Sequence, residues 1–158
     1  MTTPIALRLD QLTEKGIHRN LCLRLGAYRH VCDSYYLDID ESPTASPDLG
    51  AALARLLDQW RSQAEELREK GGTAYLPYDF SDQCTAWLRV SSTDGRNAEV
   101  QAGWSLLEGY RIVPSDYVAT SPEITDFDPI VNARIECSLS DLARHIATNA
   151  ESFKPSRL

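Results

Sequence analysis

Apolar residues recur along this chain with two periods, and the switches between them outline a fold. From Leu49 onward Leu49, Leu53, Leu56, Trp60, Ala64 and Leu67 step by three or four, the spacing that keeps side chains on one face of an α-helix. Ser46 as N-cap, Pro47 at the first helical position and Asp48 near the positive end predict the start, and Gly71-Gly72 the stop, of a helix over about 47–70. Its other face, with Arg55, Asp58, Arg61, Glu65, Glu66, Arg68 and Glu69, is mixed in sign and reads as solvated. A second such run, Leu139, Leu142, Ala143, Ile146, Ala150 and Phe153, predicts a closing helix over about 139–153, with Ser138 and Asp141 spaced as in a capping box.

Elsewhere the period is two. Ile5–Leu9 predicts a short strand, followed by a helical turn ending near Gly16. Between Ile17 and Ile39 the odd positions are mostly apolar, which predicts two strands folding back around Gly26-Ala27. Ala74, Leu76, Tyr78 and Phe80 share one parity, as do Cys84, Ala86, Leu88 and Val90, and then Ala98, Val100, Ala102, Trp104 and Leu106. A loop of Thr93, Asp94 and Gly95 would pair Val90 with Ala98 and Leu88 with Val100, with Gly95 left-handed. A strand over Tyr110–Val113, a long loop over 114–129 and a strand marked by Val131, Ala133, Ile135 and Cys137 complete the chain. This order predicts an α+β fold: a mostly antiparallel sheet of about five to seven strands packed against the two main helices, in a single domain over 1–158.

Composition narrows the function classes. With 158 residues, 42% hydrophobic and 25% charged, the chain has the size and make-up of one globular domain. A formal charge of −7 opposes nonspecific affinity for phosphate backbones or anionic membranes. No run approaches the about 18 apolar residues of a membrane span, and the N-terminal segment lacks the pattern of a secretory signal, so the expected compartment is the cytoplasm. Cys22, Cys32, Cys84 and Cys137 include no CxxC pair and are expected as reduced thiols, Cys84 and Cys137 as small core residues.

Several constellations could carry chemistry. His18, Cys22, His30 and Cys32 lie on the even parity of the first hairpin and offer zinc two imidazoles and two thiolates, although their spacing matches no familiar finger or ribbon. Asp38 and Asp40, followed by Glu41, could hold Mg²⁺ or Mn²⁺ at a strand end; a solvated turn explains the same residues. Ser115, Ser121 or a cysteine with His145 define no triad, since there is no G-x-S-x-G elbow, and no phosphate-cradling glycine motif follows a predicted strand. No cofactor is expected.

Charge layout is the more directional feature. Residues 1–32 carry +3, whereas 33–72 and 73–158 carry −5 each. Glu108, Asp116, Glu123, Asp126, Asp128, Glu136 and Asp141 face only Arg111 and Arg134 in the segment 108–141. Tyr117 and Phe127 among these acids make a mixture suited to a basic protein surface, with charge for steering and aromatics for anchoring; a loop that only keeps the protein soluble is the competing explanation.

The pieces Tyr75–Gln83, Gly103–Ser105, Glu108–Tyr110, Pro114–Asp116 and Ile124–Phe127 before the last helix resemble small bacterial proteins of the toxin-immunity type, over residues 73–153. The resemblance implies a non-catalytic inhibitor that occludes a basic toxin or nuclease, with Asp79, Asp82, Asp116, Tyr117, Glu123, Asp126, Phe127 and Asp128 as contacts. The expected partner is then a basic protein, not a nucleic acid or a membrane. A metal-dependent enzyme, a nucleic-acid mimic and a structural subunit are the alternatives.

Overall fold

The structure, a computed structural model, describes residues 5–9, 21–38 and 48–154; of residues 6–9 and Asp38 it describes the backbone. Strands β1 (Ile5–Leu9), β2 (Leu21–Leu25) and β3 (Tyr28–Cys32) form one antiparallel sheet in that order. A helical turn α1 (Tyr35–Asp38) precedes the long helix α2 (Leu49–Lys70). Then come β4 (Gly72–Phe80), β5 (Thr85–Ser92) and β6 (Asn97–Ser105). A connection with 3-10 turns at Gly109–Arg111 and Pro114–Asp116 and a helical turn α3 (Tyr117–Thr120) leads to β7 (Asp128–Ser138) and α4 (Leu139–Glu151). The second sheet is antiparallel in the order β4-β5-β6-β7.

The protein is therefore α+β, as expected, with seven strands among the described residues divided between two sheets. The division has a local cause. Pro77 in the outer strand β4 has no N–H to donate, and the register slips between Pro77 and Asp79, so β4 offers β3 no regular ladder. Side chains cross the gap instead. The buried residues of both sheets, α2 and α4 nonetheless join one hydrophobic cluster. Leu53, Leu56, Leu57 and Trp60 of α2 are its centre, and each large apolar side chain so buried is worth about 1.5–3 kcal/mol. Trp60 Nε1 donates to Pro77 O at 3.1 Å, tying α2 to β4.

The ends of the elements follow local chemistry. Asp48, not Ser46, is the N-cap of α2: its carboxylate accepts from Ala51 N at 2.8 Å; Ser46 and Pro47 lie outside the described residues. Gly71 closes the helix as expected, donating to Leu67 O at 2.8 Å. Ser138 caps α4 by accepting from Asp141 N at 3.0 Å, while the Asp141 carboxylate turns to Arg144 at 2.6 Å instead of completing a reciprocal box.

Three strand expectations need correction. The first hairpin turns at Gly26-Ala27 as expected, but β3 ends at Cys32, because the Asp33 carboxylate accepts from Tyr35 N at 2.7 Å and starts a turn; Ile17, Ile39 and the helical turn expected before Gly16 lie outside the described residues. The β5–β6 register is Val90 with Val100 and Leu88 with Ala102, two residues wider than expected. Asp94 widens the loop by accepting from Arg96 N and Asn97 N, both at 2.9 Å, while Gly95 takes φ 72. Residues 110–113 hold a 3-10 turn in place of a strand, and the following segment is clamped to α2, where Arg55 Nε donates to Ser115 O at 2.8 Å and Gln59 Nε2 to Pro114 O at 3.0 Å. Arg55 stays exposed, on the face expected to be solvated, while making this contact.

Strand β7 carries a large bulge. Gln101 faces Arg134 and Gly103 faces Pro129, so residues 130–133 stand opposite Ala102 alone. Asn132 takes φ 63, and Val131, expected inward, is 83% exposed. The Gln101 amide fills the breach, donating to Ala102 O at 2.8 Å, Ile130 O at 2.9 Å and Ala133 O at 3.1 Å. Among the described residues no helix is long and apolar enough to cross a membrane.

Candidate functional site

The antiparallel order of the second sheet brings the end of β4, the start of β5, the end of β6 and the start of β7 to one end of the molecule. The turn after β4 and the turn after β6 are joined there by Gly109 N donating to Ser81 O at 2.7 Å, and Thr85 Oγ1 donates to Leu107 O at 2.8 Å. Asp126 Oδ2 accepts from Leu106 N at 2.7 Å and draws the late connection onto the same end. Asp82, Glu108, Asp126 and Asp128 consequently belong to one end of the sheet, where Arg111 reaches Glu108 at 3.8 Å. Leu106 and Tyr110 stand 76% and 64% exposed among them.

Tyrosines reinforce this end. The Tyr36 hydroxyl donates to Asp82, and that hydrogen bond holds the phenol up to about 12. The Tyr110 hydroxyl donates to Glu108 at 3.1 Å, which also raises its pKa. Gly103 permits the close approach of the late connection: a Cβ there would meet Asp128 O and the Phe127 ring, both at 2.5 Å. Phe127 lies half-buried against Tyr75, with Arg89 Cζ 4.7 Å from its ring centroid. Beside it a groove of about 680 Å³ runs between β4, β5 and the 117–124 segment, with Tyr75, Arg89 and Ile124 along it and Glu123 at its wall.

The expected contact residues separate into groups. Asp82, Glu123, Asp126 and Asp128 are exposed; Asp116 and Phe127 are half-buried. Two are internal. Tyr117 is 2% exposed, burial drives its pKa far up, and its hydroxyl has no hydrogen-bond partner among the described residues. Asp79 is 7% exposed because the slip at Tyr78 turns both Tyr78 and Asp79 inward, where simple alternation would send Asp79 to solvent.

Asp79 belongs to a second cluster, between the two sheets. Its Oδ2 lies 2.8 Å from His30 Nε2, and its Oδ1 accepts from Asp33 N at 3.0 Å. His30 Nδ1 is 3.2 Å from the Tyr28 hydroxyl. Cys32 is fully buried, and a ligand atom from each of His30, Cys32 and Asp79 lies within 4.8 Å of the others. Burial, then the Asp79 charge, pushes the Cys32 thiol well above its ordinary value. A protonated thiol beside an imidazole whose two nitrogens are both engaged is no activated nucleophile.

The expected grouping of His18, Cys22, His30 and Cys32 does not form. Cys22 pairs with Val31 and projects to the opposite face from His30 and Cys32, which oppose Leu23 and Leu21; His18 lies outside the described residues. The same holds for Asp40, Glu41 and the side chain of Asp38. All four cysteines are free thiols. Cys84 and Cys137 are half-buried, and burial raises Cys137 to about 11. His145 is half-buried on α4, with Nδ1 unpartnered among the described residues. Comparison with protein-family models, with curated proteins and with solved structures found no match to the chain.

Proposed function

We propose that the protein is a non-catalytic binding module of the immunity type, an acidic inhibitor that covers the active site of a basic partner protein such as a bacterial toxin or nuclease. The observation that carries this reading is the end of the second sheet, where Asp82, Glu108, Asp126 and Asp128 accompany exposed Leu106 and Tyr110 and Arg111 pairs with Glu108. Like charges gathered beside apolar and phenolic side chains give long-range attraction together with short-range contact area. The contact set is revised accordingly: Asp82, Asp126 and Asp128 remain, Glu108, Leu106 and Tyr110 join them, Glu123 belongs to the neighbouring groove, half-buried Asp116 and Phe127 are left out, and Asp79 and Tyr117 act inside the fold.

The test pairs the protein with basic reading-frame products encoded beside its gene, by co-expression and then titration calorimetry over a salt series. The informative variant is Glu108→Lys with Asp128→Lys, since neither carboxylate accepts a backbone N–H, whereas Asp126 anchors Leu106. Association with the partner should slow about tenfold or more at low salt, with the difference shrinking as salt screens the charges. A complex that forms equally fast with the double variant would sink the reading, as would the absence of any stoichiometric complex.

A further inference from the structure

We infer that His30, Cys32 and Asp79 form a zinc site between the two sheets. The inference stands apart from the binding surface at the sheet end and does not depend on it. Three different donor types converge here, an imidazole, a thiol and a carboxylate, with one atom of each within 4.8 Å of the others. That combination matches the nitrogen, sulfur and oxygen preferences of Zn²⁺, while the thiol argues against Mg²⁺ or Ca²⁺.

Geometry and charge support the same ion. His30 Nε2 and Asp79 Oδ2 are 2.8 Å apart, whereas ligands of a tetrahedral zinc, with bonds of about 2.0–2.1 Å, sit about 3.3 Å apart. Entry of the ion therefore requires these atoms to part by about half an ångström. On binding, the Cys32 thiol releases its proton to solvent, and His30 carries its ring proton on Nδ1, where the Tyr28 oxygen at 3.2 Å accepts it. Zn²⁺ with one thiolate, one carboxylate and a neutral imidazole sums to zero, which removes the charge penalty of a site where Cys32 and Asp79 are buried.

The aromatic surroundings of the cluster are close. Tyr78 is buried, with the Tyr28 hydroxyl as neighbour of its own, and its ring stands 5.6 Å from that of His30. Cys32, Asp79 and Tyr28 are its charged or ionisable neighbours. Three protein ligands leave the fourth position of the ion to water. The slip in β4 that turns Tyr78 and Asp79 inward together is thus the device that builds the site.

Titration of the full chain with Co²⁺, followed by displacement with Zn²⁺, tests this. The wild type should bind one equivalent, with a near-ultraviolet thiolate-to-cobalt band and tetrahedral visible bands that zinc abolishes and excess Mg²⁺ does not. Cys32→Ala should lose the thiolate band, Asp79→Asn should weaken binding tenfold or more, and Tyr28→Phe should weaken it about 10-fold as loss of a supporting hydrogen bond. Cys22→Ala, on the opposite face, should behave as wild type. Zinc should raise the unfolding temperature of the wild type, and that of Asp79→Asn by less at the same zinc concentration. Absence of a cobalt–thiolate band in the wild type would overturn the site, and so would a band that survives in Cys32→Ala or disappears in Cys22→Ala.

Discussion

Replacing Gln101 by leucine isolates the energetic role of one amide. In the native fold its Nε2 serves the carbonyls of Ala102, Ile130 and Ala133 at 2.8, 2.9 and 3.1 Å, which the bulge in β7 removes from the sheet ladder. Leucine is one atom shorter, apolar and without a donor. The Ile130 carbonyl lies at the half-buried rim and can turn to water, whereas the hydrogen bonds to Ala102 and Ala133 are buried. Each buried carbonyl left without a donor costs about 1–3 kcal/mol. Leucine's more favourable burial offsets part of this, by about 1 kcal/mol. The expected loss is about 1–5 kcal/mol in urea unfolding followed by tryptophan fluorescence. With a urea slope of about 2 kcal/mol per molar, the midpoint should fall by about 0.5–2.5 M. Hydrogen exchange should show the loss of protection concentrated in β6 and β7. A midpoint within experimental error of the wild type would mean that the bulge carbonyls find other donors, and that the amide does not hold the strand in place.

Three more outcomes follow from particular contacts. Gly103→Ala should destabilise by about 1–3 kcal/mol through overpacking against Asp128 O and Phe127, and should release Phe127 from Arg89, seen as a change in near-ultraviolet circular dichroism; an unchanged spectrum with full stability refutes the close approach. Tyr117→Phe removes a buried hydroxyl without a partner, so its unfolding free energy should equal or exceed the wild type's by up to about 1 kcal/mol. Because burial lifts Tyr117 above its ordinary 10, the folded state keeps a proton that the unfolded state loses, and wild-type stability should decline as pH rises past 10, less steeply in Tyr117→Phe. Asp94 has the opposite sign: the Asn97 and Arg96 N–H groups hold its carboxyl below 3.8, so its contribution is present above that value and is lost as pH falls through the lowered one. The stability difference between wild type and Asp94→Ala should therefore close in acid, and a difference that persists there would show that the carboxylate charge is not what closes the loop.

Much of the framework was legible in the residue pattern, and the misses have physical causes. The three- and four-residue steps place α2 and α4 because burial acts on one face of a helix over many turns. Gly26-Ala27 was legible as a turn, but a two-residue turn pairs odd positions of one strand with even positions of the next, so Leu21, Leu23 and Leu25 share a face with Cys32, His30 and Tyr28. Applied to the sequence, that parity would have separated Cys22 from His30 and Cys32. The acidic character of the sheet end was legible as charge. The participation of Glu108 and Leu106, however, depends on the antiparallel strand order, which no local pattern encodes. Asp79 was hidden most deeply, since alternation sends it outward and its partner His30 lies 49 residues away. Pro77 immediately before Tyr78 was the available sign that the ladder breaks there.

The distortion of β7 also bears on how copies of this protein meet one another. Among the described residues no strand lies beyond β7 in the sheet order, and a straight eleven-residue border would be an open template for self-association. Pro129, the left-handed Asn132 and the charged trio of Arg134, Glu99 and Glu136, with ion pairs of 2.9 and 2.8 Å, interrupt it at successive points. The same irregularity that demands Gln101 inside the molecule thus denies a second copy a straight border to pair with.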